Sequence, residues 1–146
     1  MKLTAGEVYD ASIALANIIK RPRQIPQLAK YKIARMHSAL EPAYKEIEDR
    51  RLAAVQQFGT EVFQDEAKTR STWQIPEGTE QFKQFIAAWD LIRAEVKEVA
   101  ISPITLQSLG DSENGVEAGE FKYLGALVVD ATELASANGV PVAGNA

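Results

Sequence analysis

Residues 26–59 read PQLAKYKIARMHSALEPAYKEIEDRRLAAVQQFG. An apolar stripe runs through them: Ala29, Ile33, Met36, Leu40, Tyr44, Ile47, Leu52, Val55 and Phe58. Spacings of three and four dominate it, which predicts an amphipathic helix. Pro26 suits a first helical position, and Gly59 suits a C-terminal stop. Pro42 lies inside the pattern, where it removes an amide donor and crowds the preceding turn. The reading is one long helix kinked at Pro42, with two helices broken at Glu41 as the alternative.

Upstream, Thr4 and Glu7 form a capping-box pair, and Leu3 stands where a hydrophobic staple to Val8 would start. Val8, Ala11, Leu15, Ile18 and Ile19 share one face, so a first helix is expected over 5–19, ended by Pro22. The first two helices then form a hairpin.

Downstream, residues 59–78 are polar and turn-rich, with one short strand expected over 72–75 around Trp73. Thr79 caps a third helix, EQFKQFIAAWDLIRAEVKEV, over 80–99. Phe82, Phe85, Ile86, Trp89, Ile92, Val96 and Val99 give it the clearest helical pattern in the chain, and it is expected to anchor the core. Ile104 and Leu106 alternate with Thr105 and Gln107, as on a strand that pairs with the Trp73 segment in a small antiparallel ribbon. A final short helix is expected over 120–130, weakened at Gly125.

The expected fold is therefore mainly α: an N-terminal helical hairpin with a long kinked second helix, a third amphipathic helix, and a small β-ribbon. One domain spans 1–130, and a weakly patterned tail follows over 131–146. A length of 146 residues and an apolar fraction of 46% fit one modest core. The absence of cysteine excludes disulfides and thiolate metal sites. Glu7 and Asp10 interrupt the N-terminal apolar region, which reads as an amphipathic helix better than as a signal peptide. No apolar run approaches a membrane span.

Charge is unevenly placed. Between Ala11 and Leu40 there are six basic residues and no acidic one, although the net charge is −4. Positions 101–146 hold six acidic residues and one lysine. A basic face and an acidic C-terminal region can meet within one molecule or between copies. Lys20, Arg21, Arg23, Lys32 and Arg35 are the candidate partner-binding residues. Lys32 and Arg35 share a helical face, whereas Lys30 points elsewhere, which weakens a single phosphate-tracking stripe. The RPRQIP connection is also a poor match to a helix-turn-helix.

Chemistry-bearing motifs are sparse. His37 is the single histidine, without a second imidazole or a thiol to complete a zinc site. Ser38 follows it but projects in another direction, so a nucleophile–base pair is not expected. DSENGVEAGE, residues 111–120, superficially resembles a calcium loop. It places Gly115 where an oxygen ligand belongs, Val116 where glycine belongs, and Lys122 where the terminal glutamate belongs. No glycine-rich phosphate loop occurs. No catalytic residue, cofactor or metal is expected.

The order of elements resembles a family of small bacteriophage proteins of uncharacterised function. The residues that carry the resemblance are Lys2-Leu3-Thr4, the basic region 20–35, and Glu95-Val96 through Glu98-Val99. Ile104, Leu106 and Leu109 follow, then the helix over 121–129. The resemblance covers residues 1–130 and departs at the DSENGVEAGE insertion and the C-terminal extension. It implies a phage-encoded protein made in a bacterial host's cytoplasm, with the virion as a second location, and it brings no catalytic residue. The expected function is non-enzymatic: a phage interaction or structural protein, in a virion or assembly complex, contacting a phage or host protein or another copy of itself. The alternative is an early phage protein that binds nucleic acid, or a host nucleic-acid enzyme, through residues 20–35. No membrane or small-molecule partner is expected.

Overall fold

The computed structural model describes residues 1–111 and 114–132. Strand β1 (Lys2–Thr4) leads into helix α1 (Ala5–Lys20), and helix α2 (Gln27–Phe58) returns beside it. Strands β2 (Thr60–Phe63) and β3 (Ser71–Gln74) precede helix α3 (Glu80–Ala94) and strand β4 (Val96–Glu98). Strand β5 (Ile104–Thr105), a 3-10 turn (Leu106–Leu109), helix α4 (Ala118–Leu124), a second 3-10 turn (Gly125–Leu127) and strand β6 (Val128–Val129) complete the order. The fold is mainly α and starts with the helical hairpin.

Local chemistry sets the hairpin. The Glu7 amide donates to Thr4 Oγ1 at 3.1 Å, and the Thr4 amide donates to the Glu7 carboxylate at 2.7 Å. This closed box caps α1. The helix stops at Arg21, whose backbone is extended ahead of Pro22. α2 is uninterrupted for 32 residues, so the alternative of two helices broken at Glu41 is excluded. Pro42 and Ser38 are both exposed. The amide that proline lacks would have served the Ser38 carbonyl, on a side of the helix where water is at hand.

At a rise of about 1.5 Å per residue, α2 is about 48 Å long and α1 about half that. The main core therefore lies along the N-terminal part of α2. Val8, Leu15, Leu40, Ile47 and Leu127 are the largest fully buried side chains, and Ile18, Ile33, Met36, Leu109 and Leu124 join them. Each contributes roughly 1.5–3 kcal/mol of transfer free energy. Two stripe positions depart from expectation: Ile19 is 49% exposed and Leu52 is 44% exposed. Farther along α2, Ala54 takes the buried position instead.

α3 differs more from its sequence pattern. It ends at Ala94, and none of its residues is fully buried. It packs against α1 and α2 as a half-covered layer rather than as the anchor of the core. Trp89 sits edge-on to Tyr9 of α1, with ring centroids 5.1 Å apart, and Tyr9 stacks on Tyr44 of α2 at 5.3 Å. The Arg93 guanidinium lies 5.6 Å from the Trp89 ring and pairs with Asp10 at 2.7 Å.

The residues expected to continue α3 instead form β4, which pairs antiparallel with β1: Lys2 opposite Glu98, Leu3 opposite Lys97, Thr4 opposite Val96. The Ala5 amide donates to the Glu95 carbonyl at 2.7 Å and the Val99 amide to the Met1 carbonyl at 2.8 Å. Those long-range bonds take the backbone out of the helix after Ala94. Val99 is buried, whereas Val96 is 66% exposed.

The expected ribbon between the Trp73 and Ile104 segments does not form. Trp73 lies on β3, paired antiparallel with β2, Glu61 opposite Trp73. Ile104 and Thr105 pair in parallel with Val128 and Val129. Leu106 is not on a strand but opens the 3-10 turn. α4 starts two residues earlier than expected and ends before Gly125, which has a φ of 51° and suits the left-handed turn that redirects the chain. The tail expected over 131–146 lies outside the described residues beyond Thr132, as does Glu113 of the supposed calcium loop.

Candidate functional site

The basic segment forms the end of the helical hairpin where α1 leaves and α2 begins. There the chain makes a cleft of about 430 Å³. Its floor is apolar, from Ile18, Ile19, Ile25, Ile33 and Ala34, and its rim carries Lys20, Arg21 and Lys30. The helical period explains the grouping. Lys30, Ile33 and Ala34 fall together on the start of α2, beside the last turn of α1. Among the described residues, none of the three rim cations has an ion-pair partner.

Arg23 also borders the cleft, but its charge is satisfied from within. Its guanidinium donates to both Glu120 oxygens, at 2.7 and 3.0 Å, and to the Gly115 carbonyl at 2.8 Å. The side chains of Arg23 and Glu120 are only 7% and 13% exposed. The Gln24 amide donates to the Asn114 carbonyl beside them. The basic junction and the acidic C-terminal region therefore meet inside one molecule at this pair, and Arg23 acts as a fastener for the cleft wall.

Lys32 and Arg35 lie elsewhere. They share a different flank of α2 with Leu28 and Tyr31, which are 63% and 59% exposed. Arg35 sits 5.9 Å over the Tyr31 ring, and it also borders a smaller concavity beside Ala100 and Ile101. The structure thus brings Lys20, Arg21 and Arg23 together and sets Lys32 and Arg35 apart from them. Sequence reasoning set Lys30 aside as pointing away from Lys32 and Arg35, and passed over the isoleucine floor, Leu28 and Tyr31. The available signal was position: Leu28 and Tyr31 fall off the core stripe, so exposed apolar residues sit amid lysines and arginines.

A second cleft, about 410 Å³, lies between α1 and α2 and is lined partly by Ser12, Asn17, His37, Glu41 and Tyr44. Ser12 Oγ is buried without a hydrogen-bond partner among the described residues. No hydrogen bond joins Ser12 to His37 among the described residues, so the cleft lacks an assembled nucleophile–base pair. No group of three or more His, Asp or Glu side chains that could hold a metal occurs among the described residues. No described helix is long and apolar enough to cross a membrane.

Comparison with protein-family models, with curated proteins and with solved structures finds no match for this chain.

Proposed function

We propose that the chain is a non-enzymatic interaction protein that docks an acidic protein surface at the basic end of its helical hairpin. The observation behind this reading is the junction cleft, where an isoleucine floor is ringed by Lys20, Arg21 and Lys30, none of which has an ion-pair partner among the described residues. An apolar floor supplies affinity through desolvation, and a charged rim steers the approach and selects the partner's sign. The chain serves, in this proposal, as a bacteriophage structural or assembly component, with a phage or host protein, or another copy of itself, as partner. Mass spectrometry of purified phage particles, together with capture from infected cells, tests it. Presence in particles, or a captured partner lost on Lys20→Glu, Arg21→Glu and Lys30→Glu together, is the expected result. Absence from particles with no charge-dependent partner would contradict it.

A second reading rests on the Tyr31–Arg35 pair. An exposed tyrosine ring beside Lys32 and Arg35 is a surface on which an unpaired nucleotide base can stack. Binding of single-stranded nucleic acid that weakens with salt and with Tyr31→Ala would support this reading. Indifference to both would remove it.

A further inference from the structure

We propose that the occupant of the junction cleft is a second copy of this chain, docked through the acidic end that carries its β2–β3 hairpin, residues 59–80, so that copies join head to tail. This rests on the docking reading above and names its partner. The two ends of α2 are complementary in charge and in shape of apolar surface. At the N-terminal end an isoleucine-floored cleft carries three cations without an ion-pair partner among the described residues. At the other end, about 48 Å away along the helix, residues 59–80 hold five carboxylates against two basic residues.

The tip is built to present side chains rather than to bury them. Every residue of β2 and β3 is exposed. Val62, Phe63 and Trp73 stand at 39%, 43% and 38% exposure, close in sequence to Glu61 and Glu66. A two-stranded hairpin is marginal by itself, and this one adds no fully buried side chain to the core. Asp65 nevertheless fixes its loop, accepting hydrogen bonds from the Thr69 and Arg70 amides at 2.8 and 3.3 Å. The hairpin is thus an ordered aromatic projection on which Glu61, Asp65 and Glu66 stand against Arg70 and Lys68, the latter 5.6 Å from the Phe63 ring. Glu77 and Glu80, just beyond β3, make this end of the molecule acidic. The cleft, at about 430 Å³, falls within the range of about 300–1,000 Å³ typical of small-molecule pockets, which leaves room for an aromatic side chain.

Cleft and hairpin lie at opposite ends of α2, so each contact leaves one cleft and one hairpin end free. Such a heterologous contact continues into rings or filaments. A two-fold dimer through either end would instead oppose like charges.

Sedimentation velocity on three versions of the full chain tests this. The head variant carries Lys20→Glu, Arg21→Glu and Lys30→Glu. The tip variant carries Glu61→Lys, Glu66→Lys and Glu77→Lys and leaves Asp65 intact. The wild type should grow beyond two chains with concentration. Each variant alone should stay monomeric, its association weakened at least roughly tenfold by like-charge contact. An equimolar mixture of the two should assemble again, because each reversed end then meets its complement; that rescue also shows both variants to be folded. A monomeric wild type, a dimer indifferent to both variants, or a mixture that stays monomeric would overturn the proposal. Binding of a poly-glutamate peptide separates this failure from that of the docking reading. If a monomeric wild type binds the peptide and the head variant does not, self-assembly falls and acidic docking stands. If neither binds, both fall.

Discussion

The Arg23 guanidinium grips both oxygens of Glu120 across 97 residues of sequence. That pair ties the α1–α2 connection to α4 and holds one wall of the basic cleft. Removing one partner strands a nearly buried charge. Arg23→Ala or Glu120→Ala should each destabilise the fold by about 3 kcal/mol. The double change Arg23→Met with Glu120→Leu should recover part of that loss: no uncompensated charge remains, although the Gly115 carbonyl and the Glu117 amide lose the bonds Arg23 and Glu120 give them. Urea denaturation checks both, and a loss below about 1 kcal/mol in the single variants would show the pair to be peripheral.

Pro42 gives a prediction of opposite sign. It interrupts the hydrogen-bond ladder of a continuous helix at an exposed position. Pro42→Ala should raise stability by roughly 1–3 kcal/mol, read as a higher Tm. The gain is tempered by the extra freedom alanine allows the unfolded chain. A lower Tm would contradict this reading.

The aromatic junction of Tyr9, Tyr44 and Trp89 links α3 to the helical hairpin. Trp89→Ala should cost about 3 kcal/mol, whereas Leu91→Ala, at a position 74% exposed, should change stability by less than about 0.5 kcal/mol. Thermal melts of the two variants compare them directly. Equal losses would contradict the packing described.

Acid should loosen the same region. A hydrogen bond from Arg51 holds the Glu48 carboxyl below its usual range, against the opposing effect of burial; the Arg51 charge and a Tyr9 hydrogen bond lower it further. A carboxylate with a depressed folded-state pKa contributes stability that is complete above its unfolded value. That stability is lost as pH falls through the folded value. Denaturation free energy should therefore decline from about pH 5 downward. Glu48→Gln should be less stable at neutral pH and show a shallower acid decline. Parallel pH profiles for the two proteins would contradict this role.

Local signals made the helical hairpin legible: the Thr4–Glu7 box, the three-and-four spacing of α2, and the Pro22 and Gly59 stops. Non-local pairing was not legible. Lys2–Thr4 and Val96–Glu98 are too short to show a period of two, and their pairing shows only when both are in place. The helical period over 80–99 predicted a helix through Val99, yet backbone bonds to β1 end it at Ala94. A strong apolar face on α3 predicted deep burial, but amphipathicity reports how a helix is sided and not how fully a neighbour covers it. For the site, the charge asymmetry pointed to the right end of the molecule. It could not divide Arg23, closed on Glu120, from the open Lys20, Arg21 and Lys30, because that division depends on which chain segments fold against one another.

The most direct test of the docking account is a concentration series of amide NMR spectra on the wild-type chain. Resonances at Lys20, Arg21 and Lys30 and across Glu61 to Trp73 should shift or broaden together as concentration rises. Those from Ala43 to Ile47, near the middle of α2, should stay still. The shifts should reverse at about 0.5 M salt, where surface charges are screened within a few ångströms. Changes confined to the exposed α3 residues Ile86 and Leu91, or no change at either end, would contradict it.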